Sequence, residues 1–395
     1  MGWIFRVLVL SCVTACGGVT TSRSGPASGA DRPHVEVPRT IVTPDGASSI
    51  TDLLRDAATL AAAQRWKEAA AAYERAYALE PEGAEGEEAL WGAADAHDRA
   101  GELEPALSRY ELFAQRAPSG ARGREALVRA TRLQVFLGRF AAGGINAERL
   151  LKRLDELSDF ERIVVFSANA LALLERGEEQ RASYFIEKGR DIVDSKRLDA
   201  AGRVPRDLAQ LYYALGESRR VRAERVVFEP MPPNFGAVLE QRCQLLLDAQ
   251  SAYSDSMRAY DAHWSAMAGY RITELYQHLH RDLMAVRPPA SADTERKRQL
   301  FEGAVRTRYA ILLTKAKGMA EHTLAMAERT GELSEWVERT RKGLQAIDEA
   351  IAEEEAALAK LPYTKQDFEA YFAQLEDAAK PQPAKPETQR RLPSK

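Results

Sequence analysis

Apolar and polar positions divide the 395-residue chain into stretches of different character. Val7 to Ala15 is a short, mostly apolar run behind a single positive charge at Arg6. It is too short to span a bilayer as a helix and has the length of the apolar segment of a secretory signal. Gly17 to Ser49 is rich in Gly, Ser, Thr, Pro and Ala and has little periodicity. Such a composition buries too little apolar surface to fold and predicts a flexible tether. From Ser49 the pattern turns helical, and Ser49 with Asp52 forms an S-x-x-D helix start. Pro230 to Pro233 breaks the pattern, Asn234 is a candidate N-cap, and residues 235–286 predict one or two helices. After the loop RPPASADT, apolar residues recur at Phe301, Val305, Tyr309, Leu312, Ala316, Met319, Thr323 and Ala327. That spacing predicts one long amphipathic helix ended by Gly331. A second opens at Ser334 and runs to Lys360, where Leu361 and Pro362 stop it. Four prolines in residues 379–395 predict a disordered tail.

The first helices repeat. AQRWKEAAAAYERAYALEP, residues 63–81, aligns with RAGELEPALSRYELFAQRAP, residues 99–118. Ala69 matches Ala106, Tyr73 matches Tyr110, Ala76 matches Phe113 and Pro81 matches Pro118, each at an offset of 37. The expected turn position recurs at Gln64, Gly101, Gly138, Gly177 and Gly216. Glycine there fits the left-handed stop of a helix, where a Cβ is penalised. Ala69, Ala106, Gly143 and Ala182 are small enough for paired helices to approach closely. The apolar run Ile163 to Leu174 is too short for a membrane span.

This pattern resembles the tetratricopeptide repeat family, over about residues 50–230 in roughly five units. The first two units keep A-x3-Y-x2-[A/F]-x4-P, with Trp66 or Leu103 where the family places an aromatic. The resemblance implies an all-α fold, with tetratricopeptide-like helical hairpins in an α-solenoid followed by a long-helix C-terminal hairpin region. Val13-Thr14-Ala15-Cys16 in turn resembles the lipobox of bacterial lipoproteins. That resemblance implies acylation of Cys16, cleavage before it, and, with Gly17 next, the outer membrane of a Gram-negative cell. The expected organisation is a signal peptide at 1–15, a lipid-anchored flexible linker at 16–48, repeats at 49–230, a C-terminal helical region at 234–378 and the tail.

Composition removes several functions. The formal net charge of -3 gives no basis for binding nucleic acid. Three cysteines are too few for a disulfide framework. His278 and His280, two apart on a helix, point away from each other and do not share a metal. His280-Arg281-Asp282 lacks every companion of a kinase catalytic loop, and no nucleophile-elbow, zincin, phosphate-loop or dinucleotide motif is present. Leu239, Cys243 and Leu246 share one helix face, so the Cys243 thiol is expected to be buried and inert, with Arg242 facing elsewhere. The arginines at 203, 206, 219, 220, 222 and 225 read as a solvated face with local ion pairs in preference to a docking patch.

These features predict a lipid-anchored, periplasm-facing scaffold that binds other envelope proteins and works without cofactor, metal or catalysis. The alternative is a structural subunit of a larger envelope machine for motility, secretion or polysaccharide export. An enzyme with scattered site residues is a third reading. In the resembled family the first helix of each unit lines the concave face. Trp91, Leu127 and Phe166 are expected in the core there. Asp95, Arg99, Arg132 and Gln134 are the polar residues expected to flank the partner groove.

Overall fold

The computed structural model describes residues 49–200 and 204–378. The expected signal peptide, linker and tail, with Cys16 and Arg203, lie outside the described residues. Fourteen α-helices run through the described residues: α1 Ile50–Ala62, α2 Trp66–Leu79, α3 Gly83–Ala100, α4 Leu103–Arg116, α5 Ala121–Phe136, α6 Phe140–Leu151, α7 Asp159–Glu175, α8 Glu179–Lys196, α9 Arg206–Glu224, α10 Phe235–Met257, α11 Ala262–Met284, α12 Glu295–Thr330, α13 Glu335–Ala359 and α14 Lys365–Ala378. Each packs against the next, except that α14 returns to α12. The odd-numbered helices also meet one another, α1 on α3, α5 on α7, α7 on α9, α9 on α11 and α11 on α13. The fold is an all-α solenoid of helical hairpins.

The first four hairpins turn in one way. Gln64, Gly101, Gly138 and Gly177 all have φ between 58° and 76°. Each turn carries the same pair of backbone bonds, for example Gly138 N to Val135 O at 2.9 Å and Arg139 N to Gln134 O at 2.8 Å. This is the Schellman arrangement, which satisfies carbonyls at the helix end. Gly331 closes α12 with φ 72° and the same longer bond, from Glu332 N to Ala327 O.

Gly216 departs from the series. It lies inside α9, where a Cβ would stand 2.6 Å from the Tyr253 ring of α10. Its 39-residue offset from Gly177 is a coincidence of spacing, and close approach of two helices is its reason. The fifth hairpin turns instead through residues 225–234, which hold the PMPP stretch, and Asn234 takes the N-cap position of α10 without a side-chain hydrogen bond. Residues 235–286 form two helices, broken at 258–261.

Burial follows the repeat. Ala69, Ala106 and Ala182 are fully buried, and a Cβ on Gly143 would lie 3.0 Å from Val135. Trp91 packs edge-on against Tyr110 and Phe113, and Phe166 is buried. In α7 every residue from Ile163 to Leu174 is buried, as expected for a helix enclosed on all sides. No described helix is long and apolar enough to cross a membrane.

In α10 Leu239 and Leu246 are buried as expected, but Arg242 is buried with them where Cys243 was expected. Arg242 is 2% exposed, while Cys243 is half-buried. The Arg242 guanidinium pairs with Asp282 of α11 at 3.2 Å, which compensates part of its burial. The basic stretch after residue 203 is tied up locally. Arg220 pairs with Glu217 and Glu224, and Arg222 and Arg225 both reach Glu179.

Candidate functional site

The C-terminal ends of α3 and α5 face the N-terminal ends of α9 and α11 across a groove of about 1130 Å³. Asp98 and Arg99 of α3, and Arg129, Arg132, Leu133 and Phe136 of α5, form one wall. Arg206, Asp207 and Gln210 of α9, with His263 and Trp264 of α11, form the other. The α12–α13 turn closes one end with Glu332, Ser334, Glu335 and Trp336, and the α3–α4 and α5–α6 turns add Glu104 and Arg139.

The walls are charged, and the charges are matched. Arg99 Nε and Arg129 Nη1 both reach Asp95, at 2.7 and 2.8 Å. Arg132 lies 2.8 Å from Asp207, Arg206 lies 2.7 Å from Asp261, and Arg139 pairs with Glu104. Among the described residues Asp98 makes no side-chain hydrogen bond; burial pushes its carboxyl up, partly offset by Arg129 and Arg206.

Aromatic rings form the floor. Phe136 stacks on His263 with centroids 3.7 Å apart, meets Trp264 edge-on, and carries the Arg206 guanidinium on its face at 5.1 Å. Both nitrogens of His263 meet acceptors, the Phe136 carbonyl at 2.6 Å and Glu332 at 3.0 Å. The His263 hydrogen bond, acting against burial, holds the Glu332 carboxyl below its ordinary range. Trp336 packs on the α5–α6 turn, 3.2 Å from where a Gly138 Cβ would stand.

Of the residues expected to flank a groove, Arg99 and Arg132 line it. Asp95 stands behind the wall and holds Arg99 and Arg129 in place. Gln134 is 6% exposed and donates to Glu111 of α4 at 2.7 Å, away from the groove. Its position on α5 is two residues from Arg132, so the helix turns the two side chains to different faces. Periodicity did not single out Phe136, Arg206, His263, Trp264 or Trp336. The fold brings them together from elements up to two hundred residues apart. A tryptophan following histidine just after the Asp261 N-cap was the one local signal available.

The groove offers guanidinium donors, carboxylate acceptors and aromatic faces, a set that holds a polypeptide by hydrogen bonds and packing. Among the described residues no group of three or more His, Cys, Asp or Glu side chains is placed to hold a metal ion.

No protein-family model and no curated protein matches the chain. Two of the solved structures that align with the chain illustrate the comparison. A tetratricopeptide repeat protein from Parabacteroides merdae ATCC 43184 aligns over 76% of this chain and 98% of its own, at 12% identity and a TM-score of 0.41. A circular tandem repeat protein with novel repeat topology and enhanced subunit contact surfaces aligns over 79% of this chain and 78% of its own, at 15% identity and a TM-score of 0.17. The class is that of an all-α solenoid of helical hairpins.

Proposed function

We propose that the protein is a scaffold of a bacterial cell envelope, lipid-anchored at the outer membrane through Cys16, that binds a segment of another envelope protein in the α3–α5–α9–α11 groove. The observation that carries this reading is the groove wall, where paired arginines and carboxylates surround an aromatic floor. Such a wall satisfies the donors and acceptors of an incoming chain and buries an apolar side chain beneath them. The protein then works by binding alone, with no cofactor and no chemical step, and with no nucleic acid as partner. Tetratricopeptide-like arrays expose extended surfaces suited to this role.

Two measurements test the two halves of the proposal. Metabolic labelling with a fatty-acid analogue should mark the wild type and not Cys16→Ala; equal labelling would remove the anchor. A photo-crosslinking residue at Arg99 or Glu335, both at the exposed edge of the groove, should capture one protein from intact envelopes. The same residue at Tyr184, on α8 outside the groove, should not. Capture from Tyr184 alone would move the binding surface elsewhere.

A further inference from the structure

A second cleft lies between α4, α5 and α6 and shares no residue with the groove. Its volume is about 400 Å³. Arg124, Arg149 and Arg153 stand on its walls, Leu127 and Leu150 line it, and Ile145 is exposed at its edge. Glu156 takes Arg124 and Arg153 together, both at 2.8 Å. The one carboxylate on the walls, Glu111, accepts from Gln134. Three guanidiniums therefore face two carboxylates, and the positive charge left over falls on Arg149, whose side chain has no ion pair or hydrogen bond among the described residues.

Two further groups lack partners. Arg124 Nε is buried and has no acceptor among the described residues. Asn146, on α6 one turn before Arg149, is only 8% exposed and lines the cleft, and its side-chain amide makes no hydrogen bond among the described residues. Buried polar groups normally find a partner, so the Arg124 Nε atom beside the Asn146 amide and the unpaired Arg149 guanidinium leaves room for one. The first turn of α5 also reaches the cleft through Gly123, and its N-cap, Gly120, offers no side chain to cap it. The unpaired N–H groups there favour an anion.

We infer that this cleft binds a phosphate group. Its donors come from two walls, α5 and α6, and so approach from different directions. Three tetrahedral oxygens meet that arrangement better than the planar fork of a carboxylate does. The apolar side chains beside the donors fit a phosphate carried on a short hydrocarbon, such as a lipid headgroup, while the donors alone also serve free phosphate.

The test is calorimetric titration of the full chain at constant ionic strength with inorganic phosphate, butyl phosphate and acetate. Both phosphates should bind, and acetate should bind more weakly. Tighter binding of butyl phosphate assigns an alkyl-linked phosphate, and equal binding assigns the free ion. Arg149→Gln should weaken binding roughly tenfold or more, as loss of a charge-assisted hydrogen bond does. Arg149→Lys should recover part of it. Because Arg149 is exposed and unpaired, its variants should melt with the wild type. Asn146→Leu, read alongside its own melting curve, should also weaken binding. Affinity unchanged in Arg149→Gln, or acetate binding as tightly as phosphate, would overturn the inference.

Discussion

His263 Nε2 lies 2.6 Å from the carbonyl oxygen of Phe136, joining the start of α11 to the end of α5 across 127 residues of sequence. The same ring reaches Glu332 at the α12–α13 turn, so one side chain ties three distant parts of the solenoid together at the groove. Replacing it strands the buried Phe136 carbonyl and leaves the Glu332 carboxylate only its bond from Ser334 N. His263→Ala should cost about 1–3 kcal/mol, the range for buried groups left without partners. Urea unfolding should show a lower midpoint, and proteolysis should find the α12–α13 turn more accessible. An unchanged midpoint would mean that this contact does not hold the turn in place.

The repeated turns give a pair of substitutions with opposite signs. Gly138 has φ 73° and lies under Trp336, so Gly138→Ala meets both backbone strain and a neighbour at 3.2 Å. Left-handed backbone costs about 1–2 kcal/mol per L-residue, and Gly138→Ala should lose at least that. Gln64 already bears this strain at φ 58°. Gln64→Gly should therefore raise the melting temperature, by up to about 1 kcal/mol of stability after the entropy of glycine is charged against it. If both substitutions destabilise, the turns are not equivalent.

Much of the hairpin repeat was legible because a left-handed helix stop has few solutions, and glycine at 101, 138 and 177 is the commonest of them. Gly216 was misread because glycine has a second use. Inside a helix it also marks where another side chain comes too close for a Cβ, and nothing local distinguishes the two. The burial of Arg242 in place of Cys243 was illegible for a related reason. A buried guanidinium needs a counter-charge, and Asp282 arrives from the next helix. The groove is the extreme case: its aromatic floor forms only when residues 136, 264 and 336 meet, and periodicity within a helix carries no record of that.

Gly216 makes this distinction measurable. Gly216→Ala should be destabilising by roughly 1–3 kcal/mol through overpacking against Tyr253. Gly236→Ala, in the first turn of α10 with nothing within 4 Å, should be neutral or stabilising because alanine has the higher helix propensity. Equal effects at the two positions would show that α9 and α10 do not approach each other as described.

Beneath Gly216 lies the charge cluster that sets the pH response. Glu217 accepts from Tyr253 Oη at 2.7 Å and Arg220 Nη2 at 2.9 Å, and Arg271 Nε stands 2.9 Å away. Burial pushes its carboxyl up, but the Arg271 and Arg220 charges outweigh burial and hold it below the ordinary range. In Glu224, burial again acts upward, and the hydrogen bond from His278 with the Arg220 charge brings the carboxyl down to about 2. A carboxylate with a depressed folded pKa stabilises the fold fully above its unfolded pKa, near 4.5, and loses that contribution as pH falls toward the folded value. His280 works in the same direction. Burial lowers its pKa below 6.5, so the unfolded chain takes up the proton first as the solution is acidified. The melting temperature should therefore hold near neutral pH, begin to fall below 6.5, and fall more steeply below 4.5. Glu224→Gln should melt lower than the wild type at pH 7, and the two curves should converge as pH drops from 4.5 toward 2. Parallel curves through that window would show that Glu224 is not among the groups whose protonation weakens the fold.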